Sequence, residues 1–417
     1  MATFPWGESA VVLMELGFPV NKFTLDDATL GQLDGVGVLD GTLLGDDVSS
    51  YCREISISRG RSDQLQAVSA GTATFTLVNN DRRFDPINTS SPYWDSTNNR
   101  SGVTPRRKVT VTLDGETVFT GRITDIDVSY EQNLSTVSIT ASDDFVLLAN
   151  TTTGTAFTPS AELSGTRVTS ILDLADVNYP ATSRSISSGT ATLSATALND
   201  NENALTYLQK CAEAEQGYLY VSGNGTLTFT NRIAPSFATV AATFSDTGAD
   251  IPYSALSVRY GQEFLYNKVI CQTSSGTPQE ANDVASQTEW GISTLSLSDL
   301  LLSSDADALT LSERLLSLYS IPQYRFDNIG VNLNRLTAPQ RATVLGLEIA
   351  DVISLTRTYS TGTPSSVTQY YSIEGISHKI SPAKHEMEIR LAPADLVYPL
   401  ILDDATSGVL DSVYALS

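Results

Sequence analysis

The stretch RGRSDQLQAVSAGTATFTLVNNDRRFDP, positions 59 to 86, constrains the fold most strongly. At its centre Ala73, Phe75 and Leu77 alternate with Thr72, Thr74 and Thr76. A period of two puts the apolar set on one face of a strand and the threonines on the other, the pattern of an antiparallel sheet with one face buried. REISISRG, from Arg53, repeats the alternation, and STVSITASDDFVLLA, from Ser135, adds another such run. In KVTVTLDGETVFTGRI, Val109, Val111 and Leu113 share a face, and Asp114-Gly115 is favoured turn chemistry for a hairpin. Several short strands with turn signals between them indicate a small sandwich or barrel over positions 51–150.

Positions 151–250 read differently, as an α+β insert. GTRVTSILDLADV (165–177) is a short amphipathic helix. A second helix is expected from Asn199, with Glu202 three residues on, and Leu205, Leu208 and Ala212 at helical spacing. Gly217 supplies its stop, and YLYVSGNGTLTFT (218–230) is a hairpin turning at Asn224-Gly225. Positions 251–395 return to β structure, with an inserted helix near 305–319 that carries Leu311, Leu315 and Leu318 on one face. Ser304 and Asp307 are its capping candidates, and Pro322 follows its end. Positions 1–50, rich in Gly and Asp without a sustained period, read as an N-terminal arm, and 396–417 as a C-terminal docking tail. The expected fold is mainly β: two barrel or sandwich domains flanking a small α+β domain.

The bulk charge narrows the function classes. A formal net charge of −22 argues against tight or sequence-specific binding of nucleic acid or of an anionic membrane, which needs an excess of Lys and Arg. Cys52, Cys211 and Cys271 are odd in number, far apart and without CxxC spacing, as expected of free thiols in a reducing compartment. The N-terminus lacks the basic and apolar regions of a secretory signal, and no apolar run approaches the roughly 20 residues of a membrane span. G-x-S-x-G, Walker and dinucleotide glycine motifs are absent. His378 and His385, seven apart in strand-like sequence, would face opposite sides of one continuous strand and suggest no zinc site. The pairs Asp26-Asp27, Asp46-Asp47, Asp143-Asp144 and Asp403-Asp404 read as solvated turns and caps, and the arm fails the calcium-loop pattern. No catalytic residue, cofactor or metal site is expected, and the chain is not read as an enzyme.

Two features remain. Arg59, Arg61, Arg82 and Arg83 flank the amphipathic strand, with Phe84, Asp85, Asp63 and Asp81 nearby. Arginine pairs bidentately with carboxylates and tolerates partial burial better than lysine. These residues therefore either lock turns internally or meet an acidic copy of the same chain. LDDATLGQLD (25–34) returns as LDDATSGVLD (402–411), with Leu25, Asp26, Asp27 and Leu33 matched by Leu402, Asp403, Asp404 and Leu410. The repeat reads as a docking peptide used twice, since ten residues bury no core of their own.

SISRGRSDQLQAVSAGTATFTLVNNDRRFDPINTSSPY (56–93), followed by VTPRRKVTV (103–111), closely resembles the minor tail proteins of siphophages of actinobacteria and related hosts. The helix at 203–216 with GYLYVSGNGTLTF, then LEIADVISLTRT and YYSIEGISHKISPAKHEMEIRLAP, resembles the tail hub family, related to the baseplate hubs of contractile-tailed phages. The resemblance spans most of 51–395. It implies two tail-tube-like barrels side by side, three chains forming a pseudo-sixfold ring, and a non-enzymatic structural role at the virion tail tip after synthesis in the host bacterial cytoplasm. Implied partners are further copies of the chain, the distal tail protein, the tape measure and tail fibre proteins, with DNA passing through or near the lumen. Rival readings are a distal tail protein in a hexameric ring and a carbohydrate-binding or hydrolytic tail protein acting on the host wall.

Overall fold

The computed structural model describes residues 2–17 apart from Trp6, and residues 45–394 apart from 132–133, 155–156, 196–197, 199–200, 233–238 and 249. It also describes two-residue strands at 398–399 and 414–415. Both copies of the LDDAT repeat lie outside the described residues.

The first module contains β1 (Ser9–Met14), β2 (Cys52–Gly60), β3 (Ser69–Val78), β4 (Lys108–Leu113), β5 (Glu116–Tyr130) and β6 (Ser135–Ser142). Its spatial order is β1-β4-β5-β6-β3-β2, antiparallel throughout. Periodicity sets which side chains go in: Ala73, Phe75 and Leu77 are fully buried, as are Val109, Val111 and Leu113. Asp114 and Gly115, with φ 46° and 94°, form the tight turn expected there. The described part of positions 1–50 differs from the arm expected there. Ser9–Met14 pairs with Lys108–Leu113 and buries Ala10, Val12 and Met14. Six residues alternate there, too few to stand out beside the Gly/Asp-rich stretch that follows.

An α+β body comes next. Its helices α1 (Ser164–Leu172) and α2 (Ala204–Glu215) precede the hairpin β7 (Tyr218–Val221) and β8 (Leu227–Thr230). Helix α1 ends at Leu172 rather than 177. Helix α2 starts at Ala204, with Asn203, not Asn199, accepting the Thr206 N–H at 3.0 Å. Gln216 takes the left-handed conformation that ends α2, and Gly217 follows because a Cβ there would lie 2.3 Å from the Thr230 carbonyl oxygen.

The second module contains β9 (Val240–Ser245) and β10 (Ala255–Arg259). An excursion through β11 (Lys268–Thr273), β12 (Gln279–Asn282), β13 (Thr294–Leu300) and α3 (Asp305–Tyr319) interrupts it, and Ser304 caps α3 by accepting the Asp307 N–H. The module resumes with β14 (Arg325–Asn332), β15 (Val352–Thr358), β16 (Ser366–Ser381) and β17 (Lys384–Pro393). Its spatial order is β9-β15-β16-β17-β14-β10. The helix expected as a barrel insertion packs elsewhere: Leu311 and Leu315 join the core of the α+β body, with Leu208, Cys211 and Phe229. The first strand of the second module also lies before the boundary expected at 250. Cys211 and Cys271 are buried free thiols, and Cys52 is half-buried.

The two histidines do not sit on one continuous strand. The chain turns at Pro382-Ala383, with Ser381 opposite Lys384. His378 on β16 and His385 on β17 thereby share a face.

Candidate functional site: the joint between the two modules

The second module repeats the plan of the first. Numbered in chain order within each module, both have the spatial order 1-4-5-6-3-2. They differ in that the first strand lies antiparallel to the fourth in the first module and parallel to it in the second. The fifth and sixth strands match residue for residue at a spacing of 250: Ile126 pairs with Ile139, and Ile376 with Ile389. Each fifth strand carries a bulge at the same place, Thr124 in β5 and Glu374 in β16.

Both fifth strands outrun their fourth-strand partners. Strand β15 covers Ser366–Ser372 of β16, and beyond the bulge the same edge is taken by β2 of the first module. Gly60 lies opposite Gly375 and Ile55 opposite Ile380, so the two sheets become one. Gly60, at φ +99°, allows this approach, because a Cβ there would lie 2.3 Å from the Glu374 carbonyl oxygen.

Two of the four arginines hold this joint within the chain. The Arg61 N–H donates to the Glu374 carbonyl at 2.8 Å, and its guanidinium pairs with the Glu374 carboxylate. The Tyr218 hydroxyl of the α+β body donates to the other Glu374 oxygen at 2.7 Å, and Arg61 stacks 4.6 Å from the Tyr218 ring centroid. Burial opposes the Arg61 charge, but the Glu374 carboxylate beside it outweighs that and raises the Arg61 pKa. Burial, then the Glu374 charge, raises the Tyr218 pKa. Arg59 donates to Glu348 at 2.6 Å, and the other Glu348 oxygen accepts the Gly223 N–H from the β7–β8 turn at 2.7 Å. The first module, the α+β body and the second module therefore meet at two carboxylates.

The other two arginines lie in the NNDRRFDP turn. Arg82, at φ 57°, pairs with Asp85 at 2.6 Å, and Arg83 pairs with Asp81 at 2.7 Å while lying 4.3 Å from the Tyr51 ring centroid. Asp85 is buried and also accepts from the Tyr130 hydroxyl and the Ile87 N–H. Phe84 is fully buried between Tyr51 and Tyr93, and its N–H donates to the buried Asn79 side chain.

A third buried polar set links the modules. His385 Nδ1 lies 2.7 Å from Glu8 Oε1, and His385 Nε2 lies 3.0 Å from His378 Nδ1. With Glu8 accepting, His385 donates from Nδ1, which leaves its Nε2 to accept the Nδ1 proton of His378. Burial, the neighbouring His385 and Arg59 hold the His378 pKa well below its ordinary value. Asp143, expected in a solvated turn, is buried instead and accepts the Gly71 and Phe145 N–H groups. Burial pushes its pKa up to about 7. Asp47 accepts the nearby Ser49 N–H as a local turn does, whereas Asp46 accepts the N–H of Gly17, 29 residues away in sequence. Among the described residues no group of three or more His, Cys, Asp or Glu side chains is placed to hold a metal ion. No helix among them is long and apolar enough to cross a membrane.

Sequence reasoning missed Glu374, Glu348, Tyr218 and Glu8. The matching I-x-x-I patterns of RITDIDVSY (122–130) and SIEGISHKI (372–380), 250 residues apart, carried a signal of the duplication.

No family model matches this sequence, and no curated protein matches it. The fold is similar to that of the tail protein from Neisseria meningitidis MC58, at 11% identity and a TM-score of 0.59, over 93% of this chain and 97% of the other. It is similar also to the 43 kDa tail protein of prophage MuSo2 from Shewanella oneidensis, at 14% identity and a TM-score of 0.57, over 93% and 99%.

Proposed function

We propose that this chain is a structural protein of a phage tail: a hub that closes the tail tube at its tip as a ring of three subunits and anchors distal components. One observation carries the reading. Two copies of one six-strand plan lie side by side in a single chain, joined edge to edge, so that three chains present six equivalent modules. The likeness in fold to two tail proteins along nearly their whole length supports the tail assignment. A siphophage type of tail and fibre partners rest on the sequence resemblance. The arginines at the joint serve rigidity: a hub module that swung about its neighbour would not hold a closed ring. The acidic balance suits a channel that a polyanion crosses without sticking. An obligate ring of this kind should bury more than about 2,000 Å² in total per interface. Native mass spectrometry of the purified chain, with symmetry analysis of tail tips, is expected to give three copies. Six copies would instead favour a distal ring protein.

A further inference from the structure

The joint inside the chain uses two edges, and each has a counterpart left open. Strand β2, the second strand of the first module, lies on the overrunning half of β16, the fifth strand of the second. Their equivalents are β10 and the overrunning half of β5. Strand β4 covers β5 as far as Arg122, the Ile123 backbone bonds to Arg106 and Arg107, and among the described residues no strand pairs with that edge over Thr124–Tyr130. Strand β10 pairs with β14 on one side, and its other edge is likewise unpaired among the described residues.

Burial follows the same correspondence. At the internal joint Ile376, His378 and Ile380 of β16 are buried, as is Ile55 of β2, 3% exposed. The equivalent positions in β5 are Ile126, Val128 and Tyr130, apolar but half-buried or exposed, with Tyr130 57% exposed. Leu256, equivalent to Ile55 through its pairing in the sheet, is half-buried, and Val258 and Tyr260 are 43% and 68% exposed. Open edges with apolar side chains are templates for another strand. Here the two edges are complementary halves of a joint the chain already makes once.

We propose that the unpaired edge of β10 in one copy adds antiparallel to the 124–130 edge of β5 in a second copy of this chain, repeating between subunits the joint made within each. In the register of the internal joint, Ile55–Ile380 and Ser56–Lys379 become Leu256–Tyr130 and Ser257–Ser129. Arg259 then approaches an edge that carries Asp125 and Asp127. The contact is head to tail, so it generates a ring when the rotation closes. Thr124 stands where Glu374 stands, so the joint between subunits lacks the buried arginine lock and relies on backbone pairing and apolar burial.

The inference rests on the ring reading above, and disulfide trapping separates the two. Residues directly opposite in an antiparallel pair lie within disulfide reach. The Ser129→Cys/Ser257→Cys double variant, oxidised and run without reductant, should shift from a single-chain band to a covalent three-chain band, while each single variant runs like wild type. A trimer by native mass spectrometry with no more crosslinking than the single variants would overturn the edge pairing and leave the ring intact. Crosslinked six-chain species would keep the edge pairing and overturn the three-copy ring. A chain monomeric at all concentrations, without crosslinks, would overturn both. If the double variant fails to fold, the Val128→Cys/Val258→Cys pair tests the same register from the neighbouring positions, under the same outcomes.

Discussion

The four arginines around one strand divide by environment, and the division has measurable consequences. Arg61 and Glu374 are 11% and 2% exposed, so removing the guanidinium strands a buried carboxylate. Arg61→Ala should cost about 3–5 kcal/mol of unfolding free energy, read from denaturant melts. Arg82 is exposed, and its partner Asp85 keeps the Tyr130 hydroxyl and the Ile87 N–H. Arg82→Ala should therefore melt close to wild type, and equal losses in the two variants would contradict this assignment. His378 supplies a pH signature. Its folded pKa is depressed, so its contribution to stability is present above the unfolded value of about 6.5 and is lost as the pH falls below it. Asp143 acts oppositely: its raised pKa makes the fold bind more protons than the unfolded chain between about 4 and 7, so its contribution falls as the pH rises through that window. Comparing variants removes the overlap. Relative to wild type, His378→Phe should flatten the loss of stability below about pH 6.5 by up to about 1.4 kcal/mol per pH unit. An unchanged slope would mean that His378 is protonated in the fold.

Among the elements, β16 bears the most, because its sixteen residues pair with β15, β17 and β2. The switch of partner on one edge occurs at the Glu374 bulge, where an extra residue turns a side chain into the three-way joint. Gly60 is the matching device on β2. Gly60→Ala meets both a positive φ and a 2.3 Å approach to backbone, so it should destabilise by more than about 1 kcal/mol. Hydrogen exchange should localise the loss to Ile55–Gly60 and Gly375–Ile380, and a uniform loss across both modules would mean that the joint has no separate opening. Gly115 is a useful contrast, since nothing lies within 4 Å of a Cβ there and only its φ of 94° opposes substitution.

Across the whole molecule one hydrophobic core runs through both modules, and a second belongs to the α+β body with the Lys268–Tyr319 excursion. The two modules are thus one continuous body with the α+β part clamped on it by Glu348 and Glu374. A ring built from such units needs no flexible linker between its successive modules. With a net charge of −22, the assembled protein should not shift duplex DNA at physiological salt, and a shift at that salt would count against a lumen that lets DNA slide.

Local chemistry made much of the fold legible in the sequence. The alternation of Ala73, Phe75 and Leu77, the Asp114-Gly115 and Asn224-Gly225 turns and the Ser304 cap act within a few residues, so their signals are complete where they occur. The candidate site was legible only as a cluster of arginines, because each partner is far along the chain. Arg61 finds Glu374 and Arg59 finds Glu348 only once β2 has been laid against β16. The placement of His378 turned on whether Pro382-Ala383 reverses the chain, and the membership of α3 on which core its leucines reach. Strand periodicity specifies which face is apolar, but it does not specify which edge meets which. That choice belongs to pairings some three hundred residues apart, and the tertiary structure alone decided it.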